Sequence, residues 1–449
     1  MSALTHAQDS YQESFARFQE GAGGSGQEWL RSIRRSAMAR FSELGFPTTH
    51  EEDWRFTNVA PIAETSFRLD QDGAVKPTRR ELERFGFSDL EGVRLVFVNG
   101  RFEPGLSRLQ PLPEGVKIGS LAHELMTDSG TLEQHLGRYA DYQHDAFSAL
   151  NTAFMEDGAF VHIPRRTVLS EPIYLLYVSA PTADPAITHP RNLIVAGEES
   201  QATIVEDYVS LSGDVHFSNV VTEVVAGENS AVRHYRIERE SAQAFHVSTL
   251  RVQQGRSSNV SSHSLLLGGA LVRNNVHPVL AGDGADCLIN GLFMGTGEQH
   301  LDNYMKVEHV GPHCTSRQFY NGILDGRSRG VFHGRIIVHK DAQKTNSRQV
   351  NRNLLLSESA IVDSKPTLEI HANDVKCNHG STIGQLDEEA IFYLRARGID
   401  EEEARSFLIY AFASEVIERL PFEPIREWVR RALFEQMPGR LPERREGTR

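Results

Sequence analysis

Cysteine is scarce in this 449-residue chain: Cys287, Cys314 and Cys377 are the only three. That is too few for a disulfide framework, and no C-x-x-C pair occurs, which excludes a self-contained zinc ribbon. A Gly-Lys dipeptide is missing, so there is no P-loop, and H-E-x-x-H is missing too. Long apolar runs are absent. The longest clean one, residues 407–413, is far too short to span a bilayer. Basic surplus is also absent: 47 Lys and Arg stand against 60 Asp and Glu, a net charge of -13. The basic tail at 440–449 is short and mixed with acids, so no nucleic-acid partner is expected. The N-terminus has no basic-then-apolar signal pattern. Together these absences predict a cytoplasmic protein with no membrane or nucleic-acid partner.

Hydrophobic residues make up 39% of the chain and charged residues 24%, the balance of a folded protein. Residues 27–44 carry Trp29, Leu30, Ile33, Ala37, Met38, Phe41 and Leu44 at helical spacing, and Gly45 and Pro47 then stop the helix. A Gly-rich joint at 21–26 precedes it. A short strand at 93–98 ends at Asn99-Gly100, a tight-turn signal.

From about 158 to 386 the texture changes to short strands rich in Val, Ile, Tyr and Thr. Gly197, Gly227, Gly255, Gly282 and Gly311 are spaced by 30, 28, 27 and 29 residues. Gly213, Glu240, Gly268, Gly295 and Gly326 fall roughly midway. A period near thirty with a half-period turn is the signature of a solenoid with two strands per coil. The expected interior is a continuous apolar column, with polar residues alternating outward. Val205, Asp207 and Val209 fit that alternation imperfectly. A β-sandwich is the competing reading, but it does not require so regular a spacing.

Helix returns after the solenoid. Asp387 caps a segment closed by Gly398, Asp400 with Glu403 opens a longer one to Leu420, and a third covers 424–437. Their apolar surface either caps the end of the β-column or docks a partner. The plan is therefore a mainly helical N-terminal domain with a short β segment (1–157), a β-helix core (158–386) and a C-terminal helical domain (387–449).

Two enzyme-like patterns fail their context. The G-x-G-x-x-G at 21–26 follows a helix rather than a strand, so it is not a dinucleotide site. Gly326-Arg-Ser328-Arg-Gly330 matches G-x-S-x-G, but a strand follows it where a nucleophile elbow needs a helix. Cys377-Asn378-His379 is different. On an extended strand Cys377 and His379 point to one face, and both are ligands for iron or another borderline-soft metal. Two ligands do not close a tetrahedral site, so the rest must come from elsewhere. Composition alone favours a buried cysteine beside a hydrogen-bonded histidine. His309 and the His313-Cys314 turn are read as structural. Cys287 and Cys314, one coil apart, are read as core residues on neighbouring rungs about 5 Å apart. His333, His339 and His371 are read as satisfied polar groups.

The run from Thr315 to Asn346 resembles the SufB/SufD family of iron–sulfur cluster assembly scaffolds. So do Gln349-Val-Asn-Arg-Asn-Leu-Leu-Leu-Ser, Val362-Asp-Ser-Lys-Pro-Thr-Leu-Glu-Ile, Asp374-Val-Lys-Cys-Asn-His-Gly-Ser-Thr-Ile-Gly and Ile391-Phe-Tyr-Leu-Arg-Ala-Arg-Gly-Ile. Near the N-terminus, Glu52-Asp-Trp-Arg-Phe-Thr-Asn resembles a family motif. The strong resemblance covers about residues 315–420, and Cys-x-His-Gly followed by Thr-Ile-Gly looks like the SufD branch. It implies a right-handed parallel β-helix with helical flanks, joined to SufB through its end strands and to two copies of the ATPase SufC through the C-terminal helices. It also implies a nascent iron–sulfur cluster at the SufB interface, with His379 matching the proposed ligand and Cys377 its neighbouring cysteine. His371 stands where the family often has an aromatic residue. A reduced flavin in the complex is compatible with this picture, though no residue points to one. A non-catalytic scaffold is the leading expectation. A SufB-like homodimer and a carbohydrate-acting β-helix enzyme, which needs paired carboxylates in a flank groove, stay open.

Overall fold

The computed structural model describes residues 3–21, 27–69, 75–85 and 90–436. The Gly-rich stretch with its G-x-G-x-x-G pattern, Met437 and the basic tail lie outside the described residues, wholly or for the most part. The regular glycine spacing becomes a parallel β-solenoid of about eight turns. One sheet runs from Arg101–Phe102 through Val93–Val98, Ile173–Ser179, Gln201–Ser210, Ala231–Arg239, Asn259–Leu266, Asp286–Gly295, Thr315–Leu324 and Asn346–Leu355 to Lys376–Gly384. The second runs from Lys117–Ser120 through Ala159–Ile163, Arg191–Ala196, His216–Ala226, Phe245–Gln254, Leu271–Leu280, His300–His309 and Arg329–Val338 to Ile361–Ile370.

Successive coils stack in register, so Val232, Val260, Cys287, Ser316, Ser347 and Cys377 form one column. The turn glycines permit that stacking. A Cβ on Gly282 would lie 2.1 Å from Arg256 N, and one on Gly311 2.6 Å from Gly282 O. At those corners the backbones of adjacent coils touch, and only a residue without a side chain fits. The strand at 93–98 is part of the same design. It pairs in parallel with Ile173–Ser179, and Asn99 and Gly100 close a hairpin with φ of 47° and 79°.

The interior is not a continuous apolar column. Ile204, Val220, Leu250, Ile289, Leu301 and Phe332 fill most of it. Between them Glu206 is fully buried, with Arg236 Nη2 at 2.9 Å, Thr222 Oγ1 at 2.7 Å and Tyr208 OH at 2.9 Å. The imperfect alternation has a matching cause, because both outer faces are also covered. Val205, Tyr235, Leu292 and Ile323 on the first sheet pack under Ile409, Ala413 and Val416. Phe217, Val247 and Leu271 on the second pack under Phe41, Phe147 and Leu150. A strand buried on both faces needs apolar residues on both.

The C-terminal helices are Glu388–Arg395, Glu401–Ile417 and Glu423–Gln436. Asp387 and Asp400 cap the first two by accepting from Glu389 N and Glu403 N, each at 2.9 Å. These helices lie along the outer face of the first sheet, with Asn321 Nδ2 donating to Phe412 O and Phe422 N to Tyr235 OH. They do not close the end of the column. The end-cap reading is therefore wrong, because the apolar stripe that needed cover was the sheet's flank.

Candidate functional site

The last coil consists of Ile361–Ile370 and Lys376–Gly384, and each strand ends its sheet. Among the described residues Ile361–Ile370 pairs only with Arg329–Val338, and Lys376–Gly384 only with Asn346–Leu355. One edge of each is left with unpaired backbone groups, an invitation to pair with another chain. The side chains here are open as well: Ile361 is 53% exposed and Ile383 54%.

Cys377 stands opposite Ser347 and His379 opposite Gln349. Ser347 and Gln349 are fully buried inside the solenoid, so both candidate ligands carry the inward parity on a coil beyond which no described strand stacks. A polar ladder leads up to them. His309 Nε2 is 2.8 Å from Ser316 Oγ, which is 2.7 Å from Ser347 Oγ. Gln349 Nε2 donates to Gln318 Oε1 at 3.0 Å. Beside His379, Ser381 Oγ donates to Ser364 Oγ at 2.7 Å, and Ser364 Oγ to Asn351 Oδ1 at 2.8 Å.

Cys377 is half-buried against the interior core. Burial pushes its thiol up, and the Ser347 backbone draws it partly back. His379 is exposed and makes no hydrogen bond or ion pair among the described residues. A free imidazole beside a thiol offers two ligands and leaves the remaining positions of a metal or cluster open.

The other candidates separate cleanly. Cys287 is buried, and its neighbour on the next coil is Ser316 rather than Cys314. Cys314 sits in the turn before that strand, with Sγ 3.2 Å from Gly282 O, so the neighbouring-rung reading fails by two residues of register. His309 is buried and His313 is exposed in a turn with φ of 57°. His333 is buried edge-on to Tyr304, and burial pushes it down to about 4. His339 lies 3.4 Å from Glu308, and His371 lies 3.1 Å from Glu369. Ser328 is buried in a solenoid turn with Oγ donating to Gly295 O at 3.0 Å, so the G-x-S-x-G match is structural.

The motif at 52–58 clamps the N-terminal layer to the second sheet. Asp53 O accepts from Arg273 Nη2 at 2.9 Å, whose guanidinium lies over the Trp54 ring. Thr57 Oγ1 bonds Asp302 and His300, and Glu52 reaches Lys365 on the last coil at 2.7 Å. Sequence reasoning missed these partners because they lie more than 200 residues away.

Fold and terminal coil together define a β-solenoid whose open end carries a thiol and an imidazole on one strand. The family described as "SUF system FeS cluster assembly, SufBD core domain" matches residues 178–412, and "SufBD protein N-terminal region" matches residues 5–175. An iron–sulfur cluster assembly SufBD family protein of Synechocystis, slr0076, is 33% identical over 418 residues, covering 91% of this chain and 92% of that one. The iron–sulfur cluster assembly protein SufD of Escherichia coli is 30% identical over 404 residues, covering 90% and 92%. SufD of Bacillus subtilis is 27% identical over 408 residues, covering 89% and 92%. The chain belongs to the SufBD family of iron–sulfur cluster assembly proteins. Among the described residues no helix is long and apolar enough to cross a membrane.

Proposed function

We propose that this chain is the SufD-type subunit of a non-catalytic assembly scaffold. It joins a SufB-type chain through the open edges of its last coil, and its C-terminal helices receive the ATPase SufC. The nascent iron–sulfur cluster is cargo at the joint, with His379 as a ligand and Cys377 beside it. The observation that carries this reading is the coincidence, on one coil, of two unpaired strand edges and an exposed, unpartnered imidazole. An edge-to-edge partner would approach that face, where ligands from both chains complete a coordination shell. Phe392 and Tyr393, 73% and 55% exposed on helix Glu388–Arg395, support the ATPase contact.

The test is anaerobic reconstitution of the complex co-purified with SufB and SufC, assayed for iron and acid-labile sulfide. His379→Ala is expected to leave the complex intact and to remove most of the cluster. Normal iron and sulfide in that complex would overturn the ligand role, and failure of the complex to form would make His379 a structural residue. A chain that pairs with itself and ignores SufB would favour the homodimeric scaffold. For the ATPase contact, Phe392→Ala with Tyr393→Ala is a cleaner probe than deleting the helices. Deletion would uncover Tyr235, Leu292 and Ile323.

A further inference from the structure

Far from the last coil, Ala231–Arg239 turns the corner into Phe245–Gln254, and there two carboxylates and an imidazole converge inside the protein. Glu238 and His246 are fully buried, and the Glu240 side chain is 1% exposed. One ligand atom from each lies within 4.8 Å of the other two. We propose that Glu238, Glu240 and His246 form a binding site for a divalent first-row transition cation, a structural metal at the corner of one coil.

Glu240 is held as a ligand would be. Its Oε1 is engaged from outside the cluster, by Ser218 Oγ at 2.7 Å, His216 Nε2 at 3.1 Å and Ser179 Oγ at 3.3 Å. Its Oε2 faces His246 Nδ1 at 2.7 Å. Glu238 Oε1 accepts the Glu240 backbone N–H at 3.0 Å. Glu238 Oε2 has no hydrogen-bond partner among the described residues, and neither does His246 Nε2. A buried carboxylate oxygen without a partner is costly, and a second carboxylate beside it raises the cost.

A dication resolves both problems. It neutralises the two carboxylates and gives Glu238 Oε2 a partner. Two carboxylate oxygens and one imidazole nitrogen, with no sulfur, suit Mn²⁺, Fe²⁺ or Zn²⁺ better than Mg²⁺, Ca²⁺ or Cu⁺. Ser218, His216 and Ser179 would orient Glu240 from behind, as outer-shell groups do in metal sites. Ser179 belongs to the strand Ile173–Ser179, His216 and Ser218 to the next coil, and Glu240 to the one after, so the cation would rest on a carboxylate that joins three coils.

The test uses the full chain carrying Cys377→Ala and His379→Ala, so that the last coil contributes nothing. The protein is refolded with Zn²⁺ or Co²⁺, desalted, and assayed by elemental analysis. The expected result is about one equivalent of metal per chain and a melting temperature that falls on chelation. Co²⁺ should give ligand-field bands without a thiolate charge-transfer band. Glu238→Gln keeps the acceptor for Glu240 N–H and should lower metal retention about tenfold or more while leaving the metal-free melting temperature unchanged or higher. Retention below about a tenth of an equivalent of both metals by the parent chain would overturn the site. Full retention in Glu238→Gln would overturn the assignment of its ligands. If Glu238→Gln does not fold, the parent chain's occupancy and Co²⁺ spectrum decide alone.

Discussion

His234 and His379 stand in the same inward column of the solenoid, linked through Ser262, Ile289, Gln318 and Gln349. Yet they live in opposite surroundings. His234 is buried, with Nδ1 3.0 Å from Ser262 Oγ and Nε2 3.2 Å from Glu206 Oε1, in a network closed by Arg236. His379 is exposed on the last coil, and among the described residues no hydrogen bond or ion pair holds its ring. The residue type and the register are the same, and the number of coils beyond is what differs. A polar group inside the stack is enclosed by its neighbours and closed to a partner. The same group at the open end remains available to a partner.

The comparison breaks hardest at Arg236. Burial pushes the Glu206 carboxyl up, but the Arg236 and His234 charges outweigh it, so it is held below the usual carboxylate range. Arg236→Leu would leave that buried charge without its guanidinium partner, with an expected loss of about 3–5 kcal/mol in urea unfolding. Glu206→Leu combined with Arg236→Leu should recover more than half of it. If the single variant loses nothing measurable, the inner network is not what distinguishes the two ends.

Acid should weaken the interior next. Burial pushes His309 from 6.5 down to about 4, so folding favours its neutral form. The unfolded chain then binds the proton first as pH falls. The stabilisation is whole above about pH 6.5 and is lost between there and about pH 4, up to about 3 kcal/mol for this one group. His309→Gln should flatten the dependence of the urea midpoint on pH by close to one proton over that window. An unchanged slope would show that His309 is not enclosed as described.

At the open end the expected stability effects are small. His379→Ala should change unfolding free energy by less than about 0.5 kcal/mol, since it deletes an exposed ring without partners. A large loss would make it a structural residue like His234. Smallest of all is Ile383→Lys. It places a charge on an exposed position of the last strand, so stability should stay within experimental error, while binding to a SufB-type partner falls about tenfold or more. Unchanged binding in a titration would move the partner surface away from the last coil.

Much of this architecture was legible before any coordinates. Turn glycines recur every coil because each coil must let the next backbone approach, as the Gly282 and Gly311 contacts show. Asp387 and Asp400 announced their helices because capping is local. The Cys377–His379 pair was visible because alternation along one strand is local too. The polar plug at Glu206 and Arg236 was not, because its members come from strands about thirty residues apart. Nor was the meeting of Glu240 with His216, which depends on how tightly one corner closes.

By itself, then, the sequence determined the repeat, the strand and helix segments, and the face that Cys377 shares with His379, all of which follow from turn chemistry and side-chain alternation within a few residues. Tertiary structure alone decided that the strand at 93–98 begins the parallel part of the first sheet and that the C-terminal helices cover a flank and leave the end open. It also decided that Cys287 faces Ser316 and that, of two histidines in one column, His234 is enclosed and His379 is free. Those outcomes depend on register and burial, which are set by contacts between residues a coil or more apart.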